Sequence, residues 1–278
     1  MTYTKHEMFP MTDGQYQLVY NCLSFTLASM MASTIFFWLR LGSIAERYKS
    51  ALVITGMVTF IAAYHYYRIF NSWVASYQYG KPSDDHMVAD PTLTGIPFND
   101  AYRYMDWLLT VPLLLIEIVL VMNLGEETFS KAWKLGVAAA LMIILGYPGE
   151  LILEKDQLSE RWLWWCLAMI PFMYVVYTLL IGLRDRANAE ADERVSSLIR
   201  TAQWMTVLSW LTYPIVFIIP MFAPDAGANV VVGIQVGYCM SDIISKCGVG
   251  MLIYNITWQK SQAQNAKDDL YHAVQNQA

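Results

Sequence analysis

The chain has 278 residues, of which 56% are hydrophobic, 14% aromatic and only 15% charged, and its mean hydropathy is +0.34. A water-soluble domain of this size has too little interior for so much apolar side chain, so a soluble enzyme is excluded in favour of a polytopic membrane protein. The net charge of −5 is spread over connections of both signs and gives no reason to expect a nucleic-acid partner.

A helix needs about 20 apolar residues to cross ~30 Å of hydrocarbon. Such stretches recur seven times, at 15–40, 51–78, 99–122, 131–148, 161–183, 200–222 and 229–257. They are continuous runs rather than ten-residue alternations, which selects helices over a barrel. The expected fold is all-α: a seven-transmembrane-helix bundle over residues 1–258, with a polar tail, 259–278, that is either a short helix or disordered. Residues 1–14 form an extramembrane cap, and Met1 opens no basic, short-apolar and small-residue sequence of a cleaved leader. Cys22, Cys166, Cys239 and Cys247 all fall within spans and read as small packing residues, with no disulfide and no metal site suggested.

Cation placement sets the orientation. Arg40, Arg47, Lys49, Lys131, Lys134, Arg184, Arg186, Arg194, Arg200, Lys260 and Lys267 lie in one set of connections. Only Lys5, Lys81, Lys155 and Arg161 lie in the other. The positive-inside rule then puts the N-terminus extracellular (periplasmic) and the C-terminus in the cytoplasm of a multi-pass protein of the cell membrane, the inner membrane of a bacterium.

In the second span, AAYHYYRIFNSW, His65 stands among aromatics, and Arg68 reads as a structural residue near the interface. The third span, FNDAYRYMDWLLTVPLLLIEIVLVM, carries Arg103, Asp106, Thr110 and Glu117. At about 100° per residue the last three share one face, and Asp106 and Glu117 lie roughly 16 Å apart along the axis. An acidic group in the outer half and another in the inner half lay out a vectorial proton route. The sixth span, SWLTYPIVF, contains Pro214, which removes a main-chain bond and kinks a helix. The seventh, VGYCMSDIISKCGVGMLIYNI, places Lys246 one turn after Asp242 with no aqueous segment within about ten residues. A bare ammonium at that depth costs several kcal/mol, so it needs a partner or a covalent modification.

RYMDWLLTVPLLLIE resembles the third helix of microbial (type I) rhodopsins, and SDIISK resembles their seventh. The similarity covers the chain up to about Trp258 and points to light-driven proton pumps of the proteorhodopsin and xanthorhodopsin type. The resemblance implies all-trans retinal bound to Lys246 as a Schiff base. It makes Asp106 the primary counterion and proton acceptor, completes the counterion with Asp242, and makes Glu117 the cytoplasmic proton donor. Leu113, Leu114, Ile116, Ile118 and Val119 surround Glu117 with apolar groups, so it is expected to hold its proton in the dark. Arg103 is expected to organise both carboxylates, Thr110 to hydrogen-bond Asp106, His65 to hydrogen-bond and tune Asp106, and Tyr213 to hydrogen-bond Asp242.

By position, the retinal slot is formed by Trp107, Leu114, Met142, Gly146, Trp165, Trp210, Tyr213, Pro214 and Phe217, while Trp162, Trp164 and Trp204 are plain packing. Leu114 stands where blue-absorbing members often carry glutamine, which implies green absorption. Phe222 and Ile234 stand where some haloarchaeal relatives carry a paired-glutamate release group. Relatives with a carotenoid antenna have a glycine where this chain has Trp165, so no ring-contacting carotenoid is expected. Transported protons, membrane lipid and a homo-oligomer, trimer or pentamer, are the implied partners. A chloride pump lacks the acceptor carboxylate, and the sodium-pumping branch uses Asn and Gln with its Asp. The remaining alternative is a retinal-based photosensor, which shares the pocket and usually lacks a carboxylate at the donor position.

Overall fold

The computed structural model describes residues 9–79, 90–99, 101–122, 124–152, 157–222 and 227–275. Lys5, Lys81 and Lys155, and most of the expected N-terminal cap, lie outside the described residues. Among those described, seven helices are long and apolar enough to span a membrane. They are α1 Asp13–Ser43, α2 Glu46–Ser76, α3 Tyr102–Met122, α4 Glu127–Leu151, α5 Leu158–Asn188, α6 Glu193–Phe222 and α7 Ala228–Gln275. The apolar runs set the cores of these helices and local capping sets their ends. Thr12 and Gln15 form a reciprocal capping box at the start of α1, and the Asp192 side chain accepts from the Arg194 N–H at the start of α6. Gly125, at φ 65°, supplies the left-handed turn between α3 and α4.

Successive helices pack side by side, and α7 returns to contact α1, α2 and α6, closing the bundle. Outward faces carry Phe25, Ile35, Phe60, Trp133 and Ile170, all more than half exposed, which in a membrane means facing lipid. The protein is a multi-pass membrane protein. Hydroxyls inside the bundle are spent on main-chain carbonyls four residues back, as at Thr26, Thr34 and Thr55. Thr34 and Thr59 also bond each other across α1 and α2 at 2.8 Å. Below, the bundle end bearing the start of α1 is the N-terminal face and the opposite end the C-terminal face.

Two features depart from the sequence reading. Residues 77 and 78, counted in the second apolar stretch, leave the helix for β1 (Tyr77–Gln78), paired antiparallel with β2 (Thr92–Leu93). Tyr77 remains buried there beside Tyr16 and Trp73, so its apolar character reflects burial at the N-terminal face rather than a place in α2. The polar segment after Trp258 continues α7 without a break to Gln275. Lys260 and Ser261 remain buried within it, and beyond them the side chains are mostly exposed.

Two helices are interrupted where the chemistry-bearing residues sit. In α6 the helix breaks at Leu211, because Pro214 has no N–H for the Trp210 carbonyl, and the next bond, Ile215 N–H to Leu211 O, is stretched to 3.4 Å. In α7 the segment Ile243–Gly248 is a π-helical turn that contains Lys246, a local widening that recurs at functional sites.

Candidate functional site

Lys246 reaches from the π turn of α7 to the bundle axis, where its Nζ lies 2.7 Å from Asp242 Oδ1 and 3.0 Å from Asp106 Oδ2. All three side chains are at most 2% exposed. Asp242 lies one turn before the lysine on the same helix, whereas Asp106 is presented by α3, so the ammonium joins two elements. Tyr66 of α2 donates to Asp242 Oδ2 at 2.7 Å, and Tyr213 of α6 donates to Oδ1 at 2.5 Å. Each carboxylate, buried alone, would carry a desolvation penalty of several kcal/mol, and the short contacts to Lys246 offset it.

Arg103 lies one turn before Asp106 on α3, and its Nη1 donates to the Tyr66 hydroxyl at 3.0 Å while its Nη2 donates to Gln235 Oε1 at 2.5 Å. The guanidinium also lies over the rings of Tyr66 and Tyr238, 5.3 and 5.0 Å from their centroids. Tyr66 therefore bridges Arg103 to Asp242: its hydroxyl accepts from the cation and donates to the anion. Two cations and two carboxylates make a formally neutral buried cluster, which is the condition under which low-dielectric burial is tolerated.

The structure brings the expected acceptor, counterion and arginine together but alters two contacts. Thr110 does not bond the Asp106 carboxylate; its hydroxyl donates to the Asp106 main-chain carbonyl at 2.9 Å, the i−4 bond open to any helical threonine. His65 Nδ1 bonds the Ile61 carbonyl at 2.9 Å and stands 4.0 Å from Asp106 Oδ1, beyond hydrogen-bond reach. Asp106 Oδ1 makes no hydrogen bond with any described residue. Arg68 stays out of the site, donating to the Tyr64 and Tyr102 hydroxyls.

Glu117 lies toward the C-terminal face of α3 and is fully buried. Neither carboxyl oxygen makes a well-formed hydrogen bond among the described residues. Thr55 of α2 is a polar neighbour of the carboxyl group, and its hydroxyl already donates to the Ala51 carbonyl at 3.0 Å. That oxygen is left to accept, so it suits a carboxylic acid that donates and not a carboxylate.

An apolar cavity lies between α3, α4, α5 and α6, lined mainly by hydrophobic and aromatic side chains as small-molecule and cofactor sites are. Of the expected slot residues, Trp107, Met142, Gly146, Trp165, Trp210, Tyr213, Pro214 and Phe217 line it. Leu114 is not on its wall but is buried in the adjoining core. Tyr213 joins the cavity to the charged cluster, since it lines the wall and bonds the same Asp242 oxygen that meets Lys246. The apolar and aromatic lining fits an extended apolar group. Gly146 lies on the slot wall beside Tyr104, whose ring carbon would lie 3.6 Å from an added Cβ, an ordinary van der Waals contact. Trp165 donates its indole N–H to the Pro214 carbonyl at 3.2 Å, which fixes the ring against the kink of α6.

Residues 19–260 match the family model described as bacteriorhodopsin-like protein. The chain belongs to that family. It is a microbial type I rhodopsin, and its similarities extend across nearly the whole bundle. It is 26% identical over 245 residues to the green-light absorbing proteorhodopsin of Gamma-proteobacterium EBAC31A08, covering 87% of this chain and 88% of that one. Among solved structures, xanthorhodopsin, described as a light-driven ion pump with dual chromophore, superposes with a TM-score of 0.84 at 44% identity, over 92% of this chain and 99% of that one. A thermophilic rhodopsin superposes with a TM-score of 0.85 at 41% identity over the same shares.

Three residues of this rhodopsin's site were not singled out in the sequence. Tyr66 follows His65 directly, but in a run of three tyrosines and a histidine nothing marks which one reaches the axis. Gln235 and Tyr238 precede Asp242 by seven and four residues, two turns and one turn. That spacing on the lysine-bearing helix was the signal available.

Proposed function

We propose that this rhodopsin is a light-driven outward proton pump, with its N-terminus outside and its C-terminus in the cytoplasm. The observation that carries the reading is the position of Lys246, held within 3.0 Å of the Asp106 carboxylate, while α3, which carries Asp106, buries a second carboxyl group, Glu117, toward the C-terminal face. Lys246 would hold all-trans retinal as a Schiff base in the slot lined by Trp107, Trp210 and Tyr213, and the group would supply light absorption and a light-dependent change in the proton affinity of that nitrogen. The Lys246 ammonium stands in for that protonated nitrogen. A proton leaving Nζ has Asp106 Oδ2 as its acceptor at 3.0 Å. Asp242, held by Tyr66 and Tyr213, keeps a negative charge beside the nitrogen and directs the transfer to Asp106. Once Asp106 is neutral, Arg103 loses part of the anionic field that holds it and is left bonded to Tyr66 and Gln235, toward the N-terminal face. Glu117 then returns a proton to Nζ from the C-terminal side and is refilled from the cytoplasm.

The Pro214 break in α6 gives the helix a hinge on which its cytoplasmic end can move. Its outer part is tied to α5 through Trp165. Leu114, apolar and buried, supports green absorption, and Trp165 supports retinal as the sole chromophore. A keto-carotenoid added to the purified protein is expected to give no induced circular-dichroism band, and a large band overturns that assignment. Glu117 also favours transport over a photosensor. The pump reading is tested by illuminating unbuffered cells that hold the retinal-loaded protein. Acidification of the medium that a protonophore abolishes is expected; alkalinisation, or a drift that the protonophore enhances, contradicts it.

A further inference from the structure

The exit side of the proposed path lacks an assigned group, because Phe222 and Ile234 occupy the positions where some relatives carry release glutamates. A different carboxylate stands at the N-terminal face. α4 ends beside Glu150, whose side chain is 18% exposed, and α5 begins beside Arg161, whose side chain is 2% exposed. Arg161 donates to the Ile152 carbonyl at 3.0 Å and the Phe217 carbonyl at 3.1 Å, lies over the Phe217 ring at 4.5 Å, and pairs with Glu150 Oε2 at 3.3 Å. Two main-chain carbonyls and a ring fix this guanidinium, so it holds a positive charge at one place inside the bundle. Its Nε makes no hydrogen bond with any described residue. A small cavity of about 10 Å³, room for about one water, adjoins the pair, and its lining includes Glu150, Arg161, Gln235 and Tyr238. Gln235 is the residue that accepts from Arg103 at 2.5 Å, and Tyr238 lies under the same guanidinium. The polar run therefore leads from the Asp106 cluster through Arg103 and Gln235 into this cavity and ends on Glu150, which borders the outside.

We propose that Glu150 is the exit relay of the pump, a carboxylate that takes the proton leaving Asp106 and passes it to the external medium. In this step the O–H bond of neutral Asp106 breaks and water along the polar run takes its proton, with Arg103 guiding but not carrying it, since a guanidinium does not give up a proton. A Glu150 carboxylate oxygen gains a proton at the far end and then loses one to external water. Both residues return to carboxylates, and one proton has left. Arg161 is a positioning residue: fixed by the Ile152 and Phe217 carbonyls, it holds Glu150 beside the cavity. The pair is a relay and not a store, so release follows the neutralisation of Asp106 instead of accompanying the first transfer.

The relay rests on the pump reading, and the test separates the two. Retinal-loaded protein in lipid vesicles is flashed while a pH dye follows the bulk and infrared absorption follows the carboxylic carbonyl bands. In Glu150→Gln, loss of the proton from Asp106 and its appearance in the medium are expected to slow about a hundredfold, the lower edge of what a positioned acid–base group contributes. Deprotonation of the Lys246 nitrogen keeps its wild-type rate. A transient carbonyl band is expected to vanish in Glu150→Gln and to shift in Glu150→Asp, with release restored in the latter. Glu160→Gln, which removes an exposed charge at the same face, is expected to change neither. Wild-type release timing in Glu150→Gln, equal slowing in Glu160→Gln, or a carbonyl band unmoved in Glu150→Asp overturns the relay alone. If Glu150→Gln forms no pigment, the band position in Glu150→Asp decides. A wild-type protein that moves no protons on illumination overturns the pump reading and the relay with it.

Discussion

Glu117→Gln isolates the inner half of the path. The substitution keeps size and burial, and the carboxyl makes no well-formed hydrogen bond that an amide would lose, so the folded protein and its colour should be preserved. What disappears is a proton held on α3, about 16 Å along the axis from Asp106. The Lys246 nitrogen must then be reprotonated from bulk water, where pH 7 supplies about 10⁻⁷ M protons. With an encounter limit of about 10⁹–10¹⁰ M⁻¹ s⁻¹, delivery cannot exceed roughly 10²–10³ s⁻¹ at that pH, and it falls tenfold for each unit of rising pH. In the wild type the donor is internal, so the same step should be nearly independent of pH around neutrality. The assay is flash photolysis of the two proteins at several pH values, following recovery of the nitrogen's proton. Glu117→Gln should be slower and scale with proton concentration. Recovery that keeps the wild-type rate and stays flat with pH refutes the donor assignment.

Other substitutions probe the cluster and the slot. Asp106→Asn leaves two cations facing one carboxylate in a dry site, an imbalance of about 3–5 kcal/mol by analogy with broken buried pairs; lower stability, a shifted absorption maximum and no light-driven acidification are expected, and normal pumping contradicts the acceptor role. Tyr66→Phe removes the hydroxyl that joins Arg103 to Asp242 and should lower stability by about 1–3 kcal/mol, read as faster thermal bleaching; an unchanged bleaching rate speaks against the bridge. Gly149→Ala puts a Cβ 2.8 Å from Phe217 Cζ and 2.9 Å from Trp164 Cβ, so about 1–3 kcal/mol of overpacking and a displaced slot wall are expected. Gly146→Ala, whose nearest neighbour lies at 3.6 Å, should be tolerated; absorption spectra and melting of the pair check this, and equal behaviour argues against the packing account.

The sequence announced the spans because lipid leaves few alternatives for an apolar run of 20 residues, and the helices form where those runs lie. Their ends were less legible. Tyr77 is as apolar as a helix residue but is buried under α1, and the polar stretch after Trp258 carries no signal that ends α7. In the site, Asp106, Asp242 and Lys246 stand out because charge at that depth demands an explanation, and each sits where that demand is met. Thr110 and His65 illustrate the limit of pattern: residue type and spacing put them beside Asp106, but both side chains have a main-chain carbonyl four residues back within reach. Tyr66 and Gln235 were hidden for the opposite reason, since a tyrosine among tyrosines and a glutamine in an apolar helix show their partners only once three helices converge. Arg161, counted among the cations of a connection, proves to be buried against the half-buried Glu150 because α4 and α5 meet there.

The central claim is that one proton passes from the Lys246 nitrogen to Asp106 and is replaced from Glu117. Time-resolved infrared spectroscopy of the retinal-loaded protein, with bands assigned by Asp106→Asn and Glu117→Gln, tests it most directly. The account predicts that a carbonyl band from Asp106 rises as the nitrogen loses its proton, and that a band from Glu117 falls as the nitrogen regains it. A nitrogen that is deprotonated and reprotonated while either carboxyl group stays silent would contradict it.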